Sequence, residues 1–494
     1  MNWAHLLPER EAGQTIQGAL RQSIISAIGA GRLAAGQRMP PSRALAERMG
    51  VARNTIIAVY EELVARGYLI STERRGYFVE DQAGKLAVNE NAERTETRSQ
   101  TDWNDRFATM PAAWRHISKP TNWQDYRFPF IYGQVDPELF PVAVWRTCSR
   151  DAMGRSAVNY WAADQAMDDD PLLIEQICRQ ILPQHGVFAR PEEVLVTLGS
   201  QHGLYLLSQL LVKPGELVGI EEPGYTDARN IFALSRGQVR GVPVDAGGMR
   251  LGPWLQGLRY AVVTPAHQCP TMVTMPNDRR QALLKWAGAA DAVLIEDDYE
   301  GETRFEANMP ALKSMDRDGR VIYLGTLSKV LAPGVRIGFM VAPEAVIREA
   351  RALRRLMHRS APLNNQRTAA IFLAEGHCQG LVRSLRHALK ERWETICAAV
   401  AVALPDFPRS PSIGGSSIWL TCPADINPQH LLLKARERGV LFEPGEPFFA
   451  TPPGEQHFRL GFSSIPASRI NEGVQALAAA VADLRLQTQR SASI

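Results

Sequence analysis

Between Asn89 and Thr101 the sequence reads Asn-Glu-Asn-Ala-Glu-Arg-Thr-Glu-Thr-Arg-Ser-Gln-Thr, with almost nothing to bury. No packed core runs through such a stretch, so the chain must fold as separate pieces on either side of it. At 494 residues it is also too long for one ordinary core. The pattern places a small domain over 10–80, a tether over 81–122 and a large domain over 123–494. Trp103, Trp114 and Trp123 mark the later part of the tether as packing on a neighbouring surface.

In the first piece Ile16, Leu20, Ile24, Ile25 and Ile28 share one helical face. Pro40 and Pro41 block that helix, and Ser42 is placed to cap the next one, Arg43 to Met49. Gly50 turns the chain into a helix from Arg53 to Arg66, with Ile56, Val59, Tyr60 and Leu63 as its apolar stripe. Two short strands follow, Tyr68 to Ser71 and Tyr77 to Val79, around a turn holding Arg74, Arg75 and Gly76. Helix, turn, helix and basic-tipped hairpin make a winged helix-turn-helix. Arg53, Asn54 and Thr55 open the second helix of the pair, the end that meets base edges in the major groove. Arg43 is placed for a phosphate or groove contact, and Arg74 and Arg75 for a DNA backbone or minor groove. No lysine precedes Lys85, so arginine, suited to bidentate phosphate and base contacts, carries the charge. These residues alone leave open a structural helical domain with a solvated basic face.

From Tyr126 onward apolar strands alternate with helical patterns, the mark of an α/β domain on a largely parallel sheet. The strand-like Val321 to Leu324 runs into Gly325-Thr-Leu-Ser328-Lys329, with Arg336 further on. An amine held beside a hydroxyl and a guanidinium suits a Schiff base with an aldehyde that carries a phosphate, as pyridoxal phosphate does. Gly199-Ser200-Gln201 joins a strand to a helix, a turn that suits an anion but is also common without one. Tyr225 ends the strand Leu217 to Glu222, where it stacks on a flat heterocycle or is an ordinary turn tyrosine. Glu296, Asp297 and Asp298 close a buried strand, and buried charges need partners. Asp297 is chosen for a pyridinium nitrogen, and Tyr299, two residues on, for the ring hydroxyl on the same strand face. The acids could otherwise hold a metal, but the stretch has no histidine. Arg459 lies in an apolar run and needs an anion, either a structural acid or a ligand carboxylate.

The first piece, with Leu-x-x-Gly-x-x-Met-Pro-Pro-Ser-Arg-x-Leu-Ala, Gly-Val-x-Arg-Asn-Thr and Arg-Gly-Tyr, resembles the GntR-type winged helix. The large piece resembles the fold-type-I aminotransferases through Gly133-x-x-Asp136-x-x-x-Phe140-Pro141, Glu222-Pro-Gly-Tyr225, Thr264-Pro-x-His267-Gln268-x-Pro270 and the Asp-x-Tyr, Ser-Lys and Phe-Arg-Leu-Gly-Phe segments. The fusion resembles the MocR/GabR regulators. That resemblance implies pyridoxal 5'-phosphate held as an internal aldimine on Lys329, with Asp297 on the ring nitrogen, Tyr299 on the ring oxygen and Tyr225 stacked on the ring. It implies that Ser200, Gln201, Ser328 and Arg336 hold the phosphate, with Thr326 a weaker candidate, and that Arg459 takes the acid group of an amino compound. On DNA it implies Arg43, Arg53, Thr55 and Gly76. It further implies a head-to-tail homodimer on promoter DNA, in which external aldimine formation with a small amine or amino acid shifts DNA binding. An active aminotransferase with a fused DNA-binding module is the main alternative, and a scaffold that has lost its cofactor a third. Three departures stand out: Ala52 replaces a serine at the helix start, Pro270-Thr271-Met272 replaces Pro-x-Gly, and the segment from Gln165 lacks a glycine and a Leu-Arg pair.

The six cysteines have no CxxC spacing, so no zinc site or disulfide framework is expected, and no metal. With no signal-peptide pattern and no apolar run of membrane length, the expected location is the cytoplasm.

Overall fold

The computed structural model describes residues 15–72, 75–81, 101–163, 168–305, 310–451 and 456–492. Arg74, residues 82–100 of the expected tether and the start of the Gln165 segment lie outside them. The chain divides into two compact units, Met1–Phe107 and Ala108–Ile494.

In the smaller unit, helices Ile16–Gly29, Ser42–Met49 and Arg53–Ala65 precede an antiparallel hairpin, Leu69–Thr72 with Gly76–Val79. Leu20, Ile24, Leu45, Ile56 and Leu63 form the core, as their helical spacing predicts. Tyr60 is buried with them, and its hydroxyl donates to the Pro40 carbonyl at 3.0 Å, pinning the turn between helices. Ser42 does not cap the second helix. Pro41 takes the cap position at φ −55°, so Ser42 falls inside the first turn. Its Oγ instead accepts from Arg53 Nε at 3.4 Å. Ala52 caps the third helix with no side-chain hydrogen bond, the loss expected when serine is absent there.

The larger unit is built on eight strands in the order Val194–Thr197, Gly338–Val341, Val321–Thr326, Val293–Asp298, Tyr260–Val263, Leu217–Glu222, Gln238–Asp245 and Gly248–Met249. Pairing is parallel from Val321–Thr326 to Gln238–Asp245. Gly338–Val341 runs antiparallel to both its neighbours. Both faces are covered: Ile322 and Leu324 enter one apolar layer, Val321 and Tyr323 others. A second lobe packs Ser417–Thr421, His457–Gly461 and Glu443–Pro444 against helices Pro428–Glu437 and Ala467–Ala492, over a core that includes Phe130, Ile418, Phe442 and Phe458.

This unit begins at Ala108, ahead of the 123 read from sequence. The reason is a docked segment. The Arg115 guanidinium donates to the Phe449 carbonyl at 3.2 Å, the Arg115 carbonyl accepts from Asn230 Nδ2 at 2.8 Å, and Ile117 packs in one cluster with Tyr225, Tyr299 and Phe449. Among the described residues no helix is long and apolar enough to cross a membrane.

Candidate functional site

Parallel strands end together, and an antiparallel neighbour starts where they end. Thr326, Asp298 and Glu222 therefore finish their strands at the sheet edge where Gly338 begins its own. A cavity of about 280 Å³ lies there. Lys329, Asp297, Tyr299, Tyr225, Ser200, Gln201, Ser328, Thr326, Arg336 and Arg459, each singled out in the sequence, all line it.

Two glycines make room for side chains that line it. Gly199 has φ +98°, and a Cβ there would meet Arg336 Nη2 at 3.3 Å. Gly133 has φ +78°, and a Cβ there would stand 2.8 Å from Lys329 Nζ. Arg336 is itself left-handed at φ +54°, and its guanidinium donates to the Leu198 carbonyl. Helix Ser200–Leu211 starts at this turn and points its free N–H groups at it.

The three acids of strand Val293–Asp298 separate by the period of two. Glu296 and Asp298 turn inward. Glu296 accepts from the Leu312 and Lys313 N–H groups at 2.8 Å each. Asp298 accepts from Arg304 at 2.6 Å and Tyr323 at 2.9 Å; burial would raise its pKa, but Arg304 and His185 hold it down at about 2. Of the three, Asp297 faces the cavity. Burial pushes it up to about 7 against a hydrogen bond from Ser200, and its Oδ1 has no partner. The strand stops at Asp298, short of Tyr299, which reaches the same cavity from the turn beyond. Tyr225 caps helix Thr226–Leu234 and donates to Asp227 Oδ2 at 3.2 Å.

Burial also holds the Lys329 amine down at about 8; Glu300 opposes this, and Lys119 and Arg459 add to it. The amine lies 4.3 Å from the Tyr132 ring centre. Arg459 crosses the same ring at 4.1 Å and is 1% exposed. Its Nε donates to Glu443 Oε2 at 2.8 Å, so the structural-acid alternative for Arg459 is realised while the residue still lines the cavity. Met272, which stands where the resemblance expects glycine, keeps a left-handed backbone at φ +61°. Its Sδ lies 3.7 Å from the Tyr299 hydroxyl and its methyl abuts Gly415, so this departure reshapes the wall beside Tyr299. Sequence reasoning missed Lys119, Tyr132, Glu443 and Asp227. Only Tyr132, next to the quoted Gly133, had a signal.

In the smaller unit Arg43, Arg53, Asn54, Arg75 and Gly76 are exposed, and Thr55 is half-buried behind Arg53 and Asn54. Arg38, not singled out from sequence, is exposed too and pairs across to Phe78 on the hairpin, with its guanidinium 3.8 Å from where a Cβ on Gly76 would lie.

The cavity fits pyridoxal phosphate. It offers an amine for the aldehyde, a buried carboxylate oxygen lacking a donor for the ring nitrogen, and for the phosphate a helix N-terminus, Arg336 and a Ser328 Oγ without a partner. Residues 142–477 match the family described as aminotransferase class I and II, and residues 13–79 the bacterial regulatory proteins of the gntR family. The HTH-type transcriptional regulator TauR of Rhodobacter capsulatus is 40% identical over 469 residues, 94% of this chain and 96% of that protein. The probable rhizopine catabolism regulatory protein MocR of Rhizobium meliloti is 30% identical over 487 residues, 96% of this chain and 95% of that protein. The solved α-aminoadipate aminotransferase LysN of Thermus thermophilus, complexed with N-(5'-phosphopyridoxyl)-L-leucine, superposes with a TM-score of 0.71 at 28% identity, covering 78% of this chain and all of that one. A gntR-type DNA-binding domain and a fold-type-I domain built around a pyridoxal phosphate site thus lie on one chain, which belongs to the MocR-type HTH transcriptional regulators of the class I and II aminotransferase family.

Proposed function

We propose that the large unit senses a small acidic amino compound and that its occupancy controls DNA binding by the small unit. The observation that supports this most is one cavity lined by Lys329, Asp297 and Ser328, in which Asp297 Oδ1 and Ser328 Oγ have no partners, in a chain that carries a DNA-binding domain. Bound pyridoxal phosphate supplies an aldehyde that amines exchange on and a ring that draws electrons. The chain's own groups do the rest. Asp297 would hold a proton on the ring nitrogen, and Tyr299 would bond the ring oxygen. Tyr225 would lie against the ring. Ser200, Gln201, Ser328 and Arg336 would grip the phosphate. Lys329, held near 8, has a neutral and nucleophilic fraction at physiological pH and would hold the cofactor through its amine. Arg459 draws the ligand's acid group.

On DNA, Arg53, Asn54 and Thr55 read base edges, and Arg43, Arg75 and the Gly76 backbone contact the duplex. We take the working form to be a cytoplasmic head-to-tail homodimer, in which two DNA-binding units on two half-sites give avidity that depends on their spacing. A ligand acts here only through unequal affinity for two arrangements.

The test is an operator-binding titration with and without amine. Lys329→Ala binds operator within about twofold of wild type and no longer responds to amine. An amine response equal to wild type in that variant would sink the sensing assignment. The lowered Lys329 also suits turnover, so release of a keto acid from an amino donor with an acceptor present would favour the aminotransferase reading.

A further inference from the structure

Of the cations that line the cavity, Lys329 would serve the cofactor's aldehyde and Arg336 its phosphate, and Arg459 and Lys119 would serve neither. Lys119 comes from the docked segment that carries Arg115 and Ile117, ahead of every strand of the large sheet. Its Nζ donates to the Tyr132 carbonyl and lies 3.4 Å from Glu443 Oε1, while Arg459 holds the other oxygen of that carboxylate. Lys119 and Lys329 both lie within 3.6 Å of where a Cβ on Gly133 would sit, so the two amines are neighbours. One carboxylate thus faces two cations, and the buried Tyr132 hydroxyl beside them has no partner. Arg459, fully buried, and Lys119, half-buried, share one acid, which leaves one positive charge for an incoming anion.

We propose that Lys119 and Arg459 together form the acid-group subsite of the ligand, so that Lys119 is a specificity-determining residue selecting amines with an acidic end over neutral amines. Resting on the sensing reading, this adds a second cation on a different part of the chain. Arg459, clamped at Nε by Glu443 and sandwiched by Tyr132 and Phe448 at 4.1 and 4.6 Å, is a fixed plate. Lys119, on a flexible stem, closes on the anion from the side.

The experiment titrates cofactor-loaded protein with 3-aminopropanoate and with 1-aminopropane, following the visible band, in wild type and in Lys119→Met and Lys119→Arg. Wild type should prefer the acid. Lys119→Met should lose at least about tenfold of that preference, the scale of one charge-assisted hydrogen bond, and Lys119→Arg should recover part of it. A preference unchanged in Lys119→Met overturns the proposal. If no amine moves the wild-type band, the sensing reading has failed by itself. Propanoate, which has no amine, then decides the subsite through melting temperature: stabilisation of wild type that is absent in Lys119→Met supports it, and no stabilisation of wild type overturns it.

Discussion

Arg53 and Arg459 show two ways of presenting a guanidinium to an anion. Arg53 stands exposed at a helix start, tied to Ser42 at 3.4 Å. It costs the fold little and waits for a phosphate or base to desolvate it. Arg459 is already desolvated and had to bring its own acid, Glu443, into the core. An exposed arginine can therefore be lost without harm to the fold, whereas a buried one is bound to its counter-ion. Function and stability are separable in the small unit and coupled in the large one.

The largest effect that would break this contrast is at Lys329. Lys329→Ala should abolish both the borohydride-sensitive visible band and the amine response, yet leave operator affinity near wild type. Next comes Arg459→Met. It strands Glu443 beside Lys119 alone and should cost about 3 kcal/mol of stability, read by denaturant unfolding of cofactor-free protein. A loss below about 0.5 kcal/mol would show that the pair is not coupled to the fold. Arg53→Ala should weaken specific operator binding by about tenfold, the scale of one good base contact, with no change in melting. An unaltered operator affinity there removes Arg53 from the DNA surface. A last effect is on pH dependence. Asp297 ionises near 7 when folded and near 3.8 when unfolded, so across that window the folded state binds more protons. Cofactor-free protein should lose stability as pH rises from about 4 to about 7, and Asp297→Asn should flatten that slope. Glu221 and Glu296, also raised to about 7, keep the remainder.

What was legible in the sequence follows the same divide. The small unit's helices and wing follow from apolar spacing and proline and glycine punctuation, because each element is local. Asp297 and Arg459 were legible because each puts a charge into an apolar strand pattern, and Lys329 because it lies just past such a strand, beside a serine. Lys119 and Glu443 were not. Lys119 sits in a polar stretch with no period, and its meaning comes from a docking that brings it 3.4 Å from a residue more than three hundred positions away. The Ser42 cap failed for a local reason, since the second proline had taken the position.

The acid-rich strand end carries a last consequence. Glu296, Asp297 and Asp298 have different tasks only because a strand alternates its faces. One inserted or deleted residue upstream in the strand would send two carboxylates toward the cofactor and leave Arg304 without Asp298. Two inserted residues would restore the alternation. This strand therefore has a reading frame of its own, counted in twos, and among natural descendants of this chain length changes within it should be even or absent.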